Sequence, residues 1–263
     1  MLFRSMLQHE AHVDESLLVN PDNPDVYVVK AVCLMHRGLF EEALHYCKQA
    51  LGFDPTYSGV YVTLGTIYGN LGMFEEQGRA FETGYRLAKD VPSLNWNLGL
   101  YYLQAGKFSE GFKLAKWRKV HLHGHMRTLQ PEFDPSKKSN GKRLLIWAEQ
   151  GLGDVVMMLR FVSRMKSVFG FSEVYLEVPD ELYTLCTNNV ENVDYVYVRR
   201  SDGHCPFEFD EHISLMDLPC VLNVTNEEAF NGNEPYITSH PLLRSEEHTS
   251  ELQSRVDISY AVF

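Results

Sequence analysis

Little in this chain of 263 residues speaks for a disulfide frame, a membrane span or a nucleic-acid surface. The five cysteines, Cys33, Cys47, Cys186, Cys205 and Cys220, are odd in number and scattered, with no C-x-x-C pair. Such usage fits buried thiols in a reducing compartment, and it speaks against a disulfide framework or a paired-cysteine zinc site. No apolar run approaches the roughly 20 residues that a spanning helix needs. Basic charge is also short: 24 Lys and Arg against 35 Asp and Glu leave a formal net charge of −11. A generic nucleic-acid binder needs the opposite balance to displace counterions. The opening MLFRSMLQHEAHVDE lacks the apolar core and cleavage site of a signal peptide, so a cytoplasmic protein is expected. What the chain does have is apolar material, 44% hydrophobic and 12% aromatic residues, enough to build a core. Its length suits one large domain or two small ones.

The first half repeats itself. Gly38, Gly72 and Gly106 are each 34 residues apart, and Phe40, Phe74 and Phe108 follow them in the same register. Tyr27, Tyr61 and Asn95 align, as do Ala31, Gly65 and Gly99, Leu34, Tyr68 and Tyr102, and Ala43, Gln77 and Gly111. Each unit reads as two helices. A small residue at the eighth position lets them approach, an aromatic at the eleventh fills the gap, and the glycine ends the first helix in a left-handed cap. One such unit cannot bury its own apolar stripe, so neighbours must stack.

This pattern resembles the tetratricopeptide repeat family over residues 24 to about 125, with an incomplete helix before it up to Leu18. The third unit departs most, with Asn95 in place of an aromatic and Gly111 in place of alanine. The resemblance implies a peptide or protein bound along a concave face. Val28, Val62 and Trp96 would line it, with Asn70 and Gln104 nearby. The alternative is that these residues pack against the next helix.

After a polar, proline-containing stretch at 126–140, which reads as a linker, the periodicity changes. Leu144-Leu145-Ile146-Trp147-Ala148 is a continuous apolar run, as in a strand buried on both faces. Val155 to Val168 has helical spacing, with Met158, Phe161, Val162 and Met165 on one face. Strands follow at 174–178, 195–198 and 212–216, with a helix from about Asp180. This alternation predicts a parallel, Rossmann-like sheet with right-handed crossovers. The expected fold class is therefore α plus α/β, with helical repeats over 1–125 and one α/β domain over 141–243.

The turn Glu149-Gln150-Gly151-Leu152-Gly153-Asp154, between the first strand and its helix, is the chemical focus. Ligands of open parallel sheets sit at the carboxyl ends of the strands. Gly151 and Gly153 allow positive φ and a close approach of a ligand to the backbone. Three readings compete for the loop. A dinucleotide fingerprint lacks its third glycine, which is Val156 here, although Glu177 stands at a plausible ribose distance. A structural reading makes Asp154 a helix cap. A catalytic reading makes it a general base that removes a proton from a substrate hydroxyl.

The stretch G-K-R-L-L-I-W-A-E-Q-G-L-G-D, with the later F-D-E-H-I-S-L-M-D-L-P, resembles bacterial tetratricopeptide proteins that carry a heptosyltransferase-like glycosyltransferase domain. That resemblance covers about residues 141–240. It implies the first half of a two-domain GT-B fold and an acceptor held by the loop 149–153. It also implies Asp154 as base, His212 facing the same cleft, a nucleotide-sugar donor on a second domain, and no metal. For His212 a hydrogen-bonded strand histidine is the equal alternative.

Other groups carry less. His121, His123 and His125 alternate, but they read as a solvated helix exit, and Cys205 beside His204 lacks an orienting third group. Residues 244–254, Arg-Ser-Glu-Glu-His-Thr-Ser-Glu-Leu-Gln-Ser, resemble the in-frame translation of a sequencing adapter. Residues 244–263 are therefore expected to be foreign to the protein. The sequence reading is a fragment of a tetratricopeptide glycosyltransferase, inactive without its donor domain and carrying no cofactor of its own. The rival is a non-enzymatic adaptor that binds a protein partner.

Overall fold

The structure, a computed structural model, describes residues 12–13, 15–121, 130–137, 139, 141–200, 205–230 and 236–237. Contacts divide the chain into two units, Met1–Ala105 with Lys113–Gly124, and Gly106–Phe112 with His125–Phe263. No helix among the described residues is long and apolar enough to cross a membrane. The adapter-like stretch and the His123 and His125 positions lie outside the described residues.

Residues 12–13 and 15–19 are helical, within the stretch read as an incomplete unit. Three helix pairs follow: α1 (Pro24–His36) with α2 (Phe40–Phe53), α3 (Ser58–Asn70) with α4 (Phe74–Leu87), and α5 (Pro92–Gln104) with α6 (Phe108–Ala115). Asn23 caps α1 by accepting from the Asp25 N–H at 3.0 Å, and Pro24 at the first helical position has no N–H to satisfy. The first helix of each pair stops at the expected glycine, with φ of 76° at Gly38, 71° at Gly72 and 73° at Gly106. At the first two of these the chain closes a Schellman turn. Gly38 and Leu39 donate to Met35 and Leu34, and Gly72 and Met73 donate to Gly69 and Tyr68.

The small residues at the eighth position are packing decisions. A Cβ on Gly65 would lie 2.3 Å from the Phe81 ring, and Phe81 is almost fully buried. The ring filling that gap is therefore Phe81 of α4, where the periodicity pointed to the eleventh-position aromatic, Tyr68. Ala31, Leu34, Ala43, Cys47, Val60, Leu64 and Ile67 share one core across the first two pairs, while Phe81, Leu94 and Leu98 carry it onward. Burying a side chain such as Phe81 contributes about 1.5–3 kcal/mol. None of the five cysteines is in a disulfide. Burial pushes the Cys47 and Cys186 thiols up to about 12, which leaves both unreactive.

The second unit holds β1 (Arg143–Trp147), α7 (Leu152–Met158), α8 (Val162–Phe169), β2 (Glu173–Val178), α9 (Asp180–Asn189), β3 (Tyr195–Val198) and β4 (Glu211–Ser214). The helix expected from Val155 to Val168 starts three residues earlier and is broken by a tighter 3-10 turn at Leu159–Phe161. Its buried face, Met158, Phe161, Val162 and Met165, is the expected one. Leu215 and Met216, expected in the last strand, belong instead to a second 3-10 turn.

All pairings are parallel, in the order β3-β2-β1-β4. α7–α8 connect β1 to β2 and α9 connects β2 to β3, so the chain steps outward strand by strand in one direction. The chain then returns to the far side of β1, so the winding reverses between β1 and β4. Ion pairs along the amino edge fix the register. Asp210 accepts the Arg143 N–H at 2.8 Å and its guanidinium at 3.2 Å. Lys142 reaches Glu211 at 2.6 Å and Lys166 reaches Asp194 at 2.7 Å. The stretch read as linker joins this unit from Pro131 to Phe133. Phe133 donates to the His212 carbonyl at 2.8 Å, and its buried ring packs edge-on against Phe169 and Phe171.

Candidate functional site

The site is the carboxyl edge of β1. Trp147 closes the strand, opposite Glu177 of β2 on one side and Ser214 of β4 on the other. A sheet whose winding reverses here leaves a crevice between the departing connections. Ala148 still pairs, donating to the Glu177 carbonyl at 3.0 Å. Glu149 then leaves the strand, and its carboxylate accepts the Ser214 hydroxyl hydrogen. The same Ser214 oxygen accepts the Met216 N–H at 3.1 Å. One serine therefore joins the exit of β1 to the exit of β4.

The left-handed residue of the turn is neither of the two glycines that allow it. Positive φ falls on Gln150, at 69°, whereas Gly151 has φ −75° and Gly153 lies within the helix. In the fold, the turn must come one residue earlier because Gly151 is already the N-cap of α7. Asp154 is not the N-cap either. It sits three residues further on and folds back, so that one carboxylate oxygen accepts the Gly151 N–H at 3.2 Å. Glycine has no side chain to return the bond, which makes this half of a capping box. Leu152 begins α7 and is half-buried.

His212 is buried, two residues before the end of β4. Its Nδ1 accepts the Trp147 indole N–H at 3.2 Å, an arrangement that fits the alternative of a hydrogen-bonded strand histidine. Glu177, weighed as a ribose ligand, is 3% exposed. It accepts the Tyr197 hydroxyl at 3.0 Å and Arg199 Nε at 3.1 Å, so its carboxylate is engaged inside the fold. Burial, then hydrogen bonding to Cys205, and the charge of Glu177 push the Tyr197 phenol well above its ordinary range. Cys205 packs beside Phe207 and Phe209 over Leu145, Trp147, Tyr175 and Tyr197, and its neighbour His204 lies outside the described residues. No group of three or more His, Cys, Asp or Glu suited to a metal occurs among the described residues.

On the repeats, Val28 packs on the core of the first two pairs, and Val62 packs on Phe81, Leu94 and Leu98. Trp96 is half-buried, while Asn70 and Gln104 are exposed. The Asn70 amide donates to the Thr66 carbonyl at 2.8 Å within its own helix. Two links escaped the sequence reading altogether. The Glu149–Ser214 and Glu177–Arg199 bonds join residues 65 and 22 apart, and no local pattern marks them.

The tetratricopeptide repeat family model matches residues 24–57 and 58–91. The helical half is built of tetratricopeptide repeats. No curated protein matches the chain. Among solved structures, it is similar to YrrB, described as a TPR protein with an unusual peptide-binding site, at 22% identity and a TM-score of 0.36. That match covers 44% of this chain and 58% of YrrB. A mutant O-GlcNAc transferase of Thermobaculum terrenum gives 19% identity and a TM-score of 0.40, over 73% of this chain and 37% of that one. The structure of Naa15/Naa10 bound to HypK-THB gives 20% identity and a TM-score of 0.37, over 48% of this chain and 20% of that one. The chain thus spans little more than half of YrrB and smaller shares of the other two.

Proposed function

We propose that the α/β unit holds an acceptor hydroxyl for glycosyl transfer and that the repeats bind a protein or peptide. In this reading the chain is part of a larger cytoplasmic glycosyltransferase that uses a nucleotide-sugar without a metal. Asp154 takes the proton of the acceptor hydroxyl, the freed oxygen attacks the anomeric carbon, and the nucleoside diphosphate leaves with the electrons of the broken bond. The observation that supports this reading is the placement of the Glu149–Asp154 loop at the carboxyl edge, where the winding of the sheet reverses. The loop carries two carboxylates and no cation, which suits a hydroxyl donor better than a phosphate.

Asp154→Asn in the intact gene product tests the base. Asparagine still accepts the Gly151 N–H, so the fold should persist while transfer falls by about 10²–10⁴-fold. Unchanged transfer removes Asp154 from the chemistry. The second reading, an adaptor without catalysis, is favoured by the two matched repeats. It gains if the intact protein binds a partner through residues 24–121 and transfers no sugar. The reading also holds that residues 244–263 are foreign, and resequencing the source locus across codon 244 decides this. A continued α/β reading frame supports the proposal, and the same codons found again oppose it.

A further inference from the structure

Among the described residues, three other than glycine have positive φ: Gln150 at 69°, Asn192 at 58° and Asn223 at 53°. Asparagine tolerates this backbone because its short amide compensates locally. Glutamine has no such relief, and its Cβ bears a steric cost that glycine escapes. Gln150 is thus the one strained residue among the described positions that residue type does not excuse.

The strain is imposed from both sides. Glu149 is held by Ser214 of β4, and Gly151 is held by the Asp154 carboxylate. The side chain of Gln150 gains nothing inside the fold in return. It is exposed, and no hydrogen bond holds its amide among the described residues. The surface beside it is open. A Cβ on Gly153 would meet nothing within 4 Å, and one on Gly151 would meet only the Asp154 carboxylate, at 3.4 Å. A strained residue with an unused polar side chain, fixed at the crevice of a parallel sheet, is the pattern of a ligand contact.

We infer that the Gln150 carboxamide reads a neutral, hydroxyl-rich acceptor at this edge, giving and receiving hydrogen bonds with adjacent hydroxyls. This rests on the acceptor reading proposed above. The ligand class follows from the neighbours. Glu149 and Asp154 repel a phosphate or carboxylate but accept from hydroxyls, and an amide both donates and accepts, as paired hydroxyls require. The first cation after the loop, Arg160, is engaged with the Met157 and Phe230 carbonyls and stacked over the Phe230 and Tyr236 rings, and the last one before it, Arg143, is held by Asp210 at the opposite edge of the sheet.

The test uses the full chain, isotope-labelled, titrated to about 100 mM with methyl α-D-glucopyranoside, methyl β-D-galactopyranoside, methyl α-D-mannopyranoside and, separately, inorganic phosphate, so that sites of millimolar Kd fill. At least one glycoside should shift the amide signals of Gln150, Leu152 and Gly153. Gln150→Gly should weaken that glycoside about tenfold or more while raising the melting temperature by about 2–4 °C as strain is released. Gln150→Ala keeps the strain and loses the amide, so it should weaken binding equally. Weakening in Gln150→Gly alone assigns the effect to loop rigidity and overturns the amide contact. Unweakened glycoside binding in both variants overturns the role of Gln150 and leaves the acceptor reading standing. A wild-type chain whose loop amides answer to no glycoside overturns both, and one whose loop prefers phosphate overturns the neutral class.

Discussion

The amide of Asn95 donates to the carbonyl of Lys89 at 2.6 Å, six residues back. The hydroxyl of Tyr61 makes the equivalent bond to Pro55 at 3.0 Å, and that of Tyr27 reaches Pro21 at 2.7 Å. The apparent lapse in the third repeat therefore keeps the bond of the other two with a shorter side chain. Asn95 is 1% exposed and gives a second bond to the Val91 carbonyl at 2.9 Å. Asn95→Leu, close in volume but without the donor, leaves those carbonyls with less satisfaction. It should cost about 1–3 kcal/mol in denaturant unfolding. A cost near zero would mean that water reaches both carbonyls.

Gly65 and Phe81 form the second test. Gly65→Ala gains up to about 1 kcal/mol of helix propensity, yet its Cβ enters the Phe81 ring, where overpacking costs about 1–3 kcal/mol. A net loss is expected, and Phe81→Leu in the same chain should recover part of it. The coupling energy of the double-mutant cycle is the readout. Strict additivity would mean that the two positions do not share the gap.

Two further glycines should respond in opposite directions to the same substitution. Gly72 has φ 71° and closes a Schellman turn, so Gly72→Ala should cost about 1 kcal/mol. Gly153 lies in α7 with open space where a Cβ would stand, so Gly153→Ala should be neutral or stabilising by up to about 1 kcal/mol. Melting curves of the two variants decide the point. A clear loss in Gly153→Ala would place an unseen neighbour against the loop.

These contrasts mark what was legible in the sequence. The repeats were readable because each unit signals its own ends. Gly38, Gly72 and Gly106 stop helices by local backbone chemistry, and a 34-residue period exposes them. The sheet was readable because Leu144 to Trp147 is an apolar run of strand length and Val174 to Val178 is another, interrupted only by Glu177. The loop was found as a loop, but nothing local marked Gln150 as its left-handed residue. The position of Gln150 depends on where α7 begins and on the tether from Glu149 to Ser214, neither of which is local. The pattern from Asp210 to Pro219 was legible as a motif, and the structure gives physical reasons for its parts. Asp210 locks Arg143, His212 meets Trp147, and Leu215 and Leu218 are fully buried.

The Asp210–Arg143 pair makes stability depend on pH, and the direction is fixed by the chemistry. Hydrogen bonds from the Arg143 side chain, then from its backbone N–H, hold the Asp210 carboxyl below the ordinary carboxylate range. A carboxyl depressed in the folded state stabilises fully above its unfolded value, near about 3.9, and that contribution is lost as pH falls through the folded value. At about pH 7 the Asp210→Asn variant should therefore unfold at lower denaturant than the wild type. As pH falls below about 4 the gap should narrow, because the wild-type carboxyl takes up a proton and loses the charge that the variant never had. The other carboxylates titrate alike in both proteins and cancel in the difference. Unfolding midpoints measured at the two ends of this range supply the check. A gap of constant width would show that the charge of Asp210 contributes nothing, since asparagine can still accept the Arg143 N–H, and that the loss comes from the fit of the amide beside Arg143.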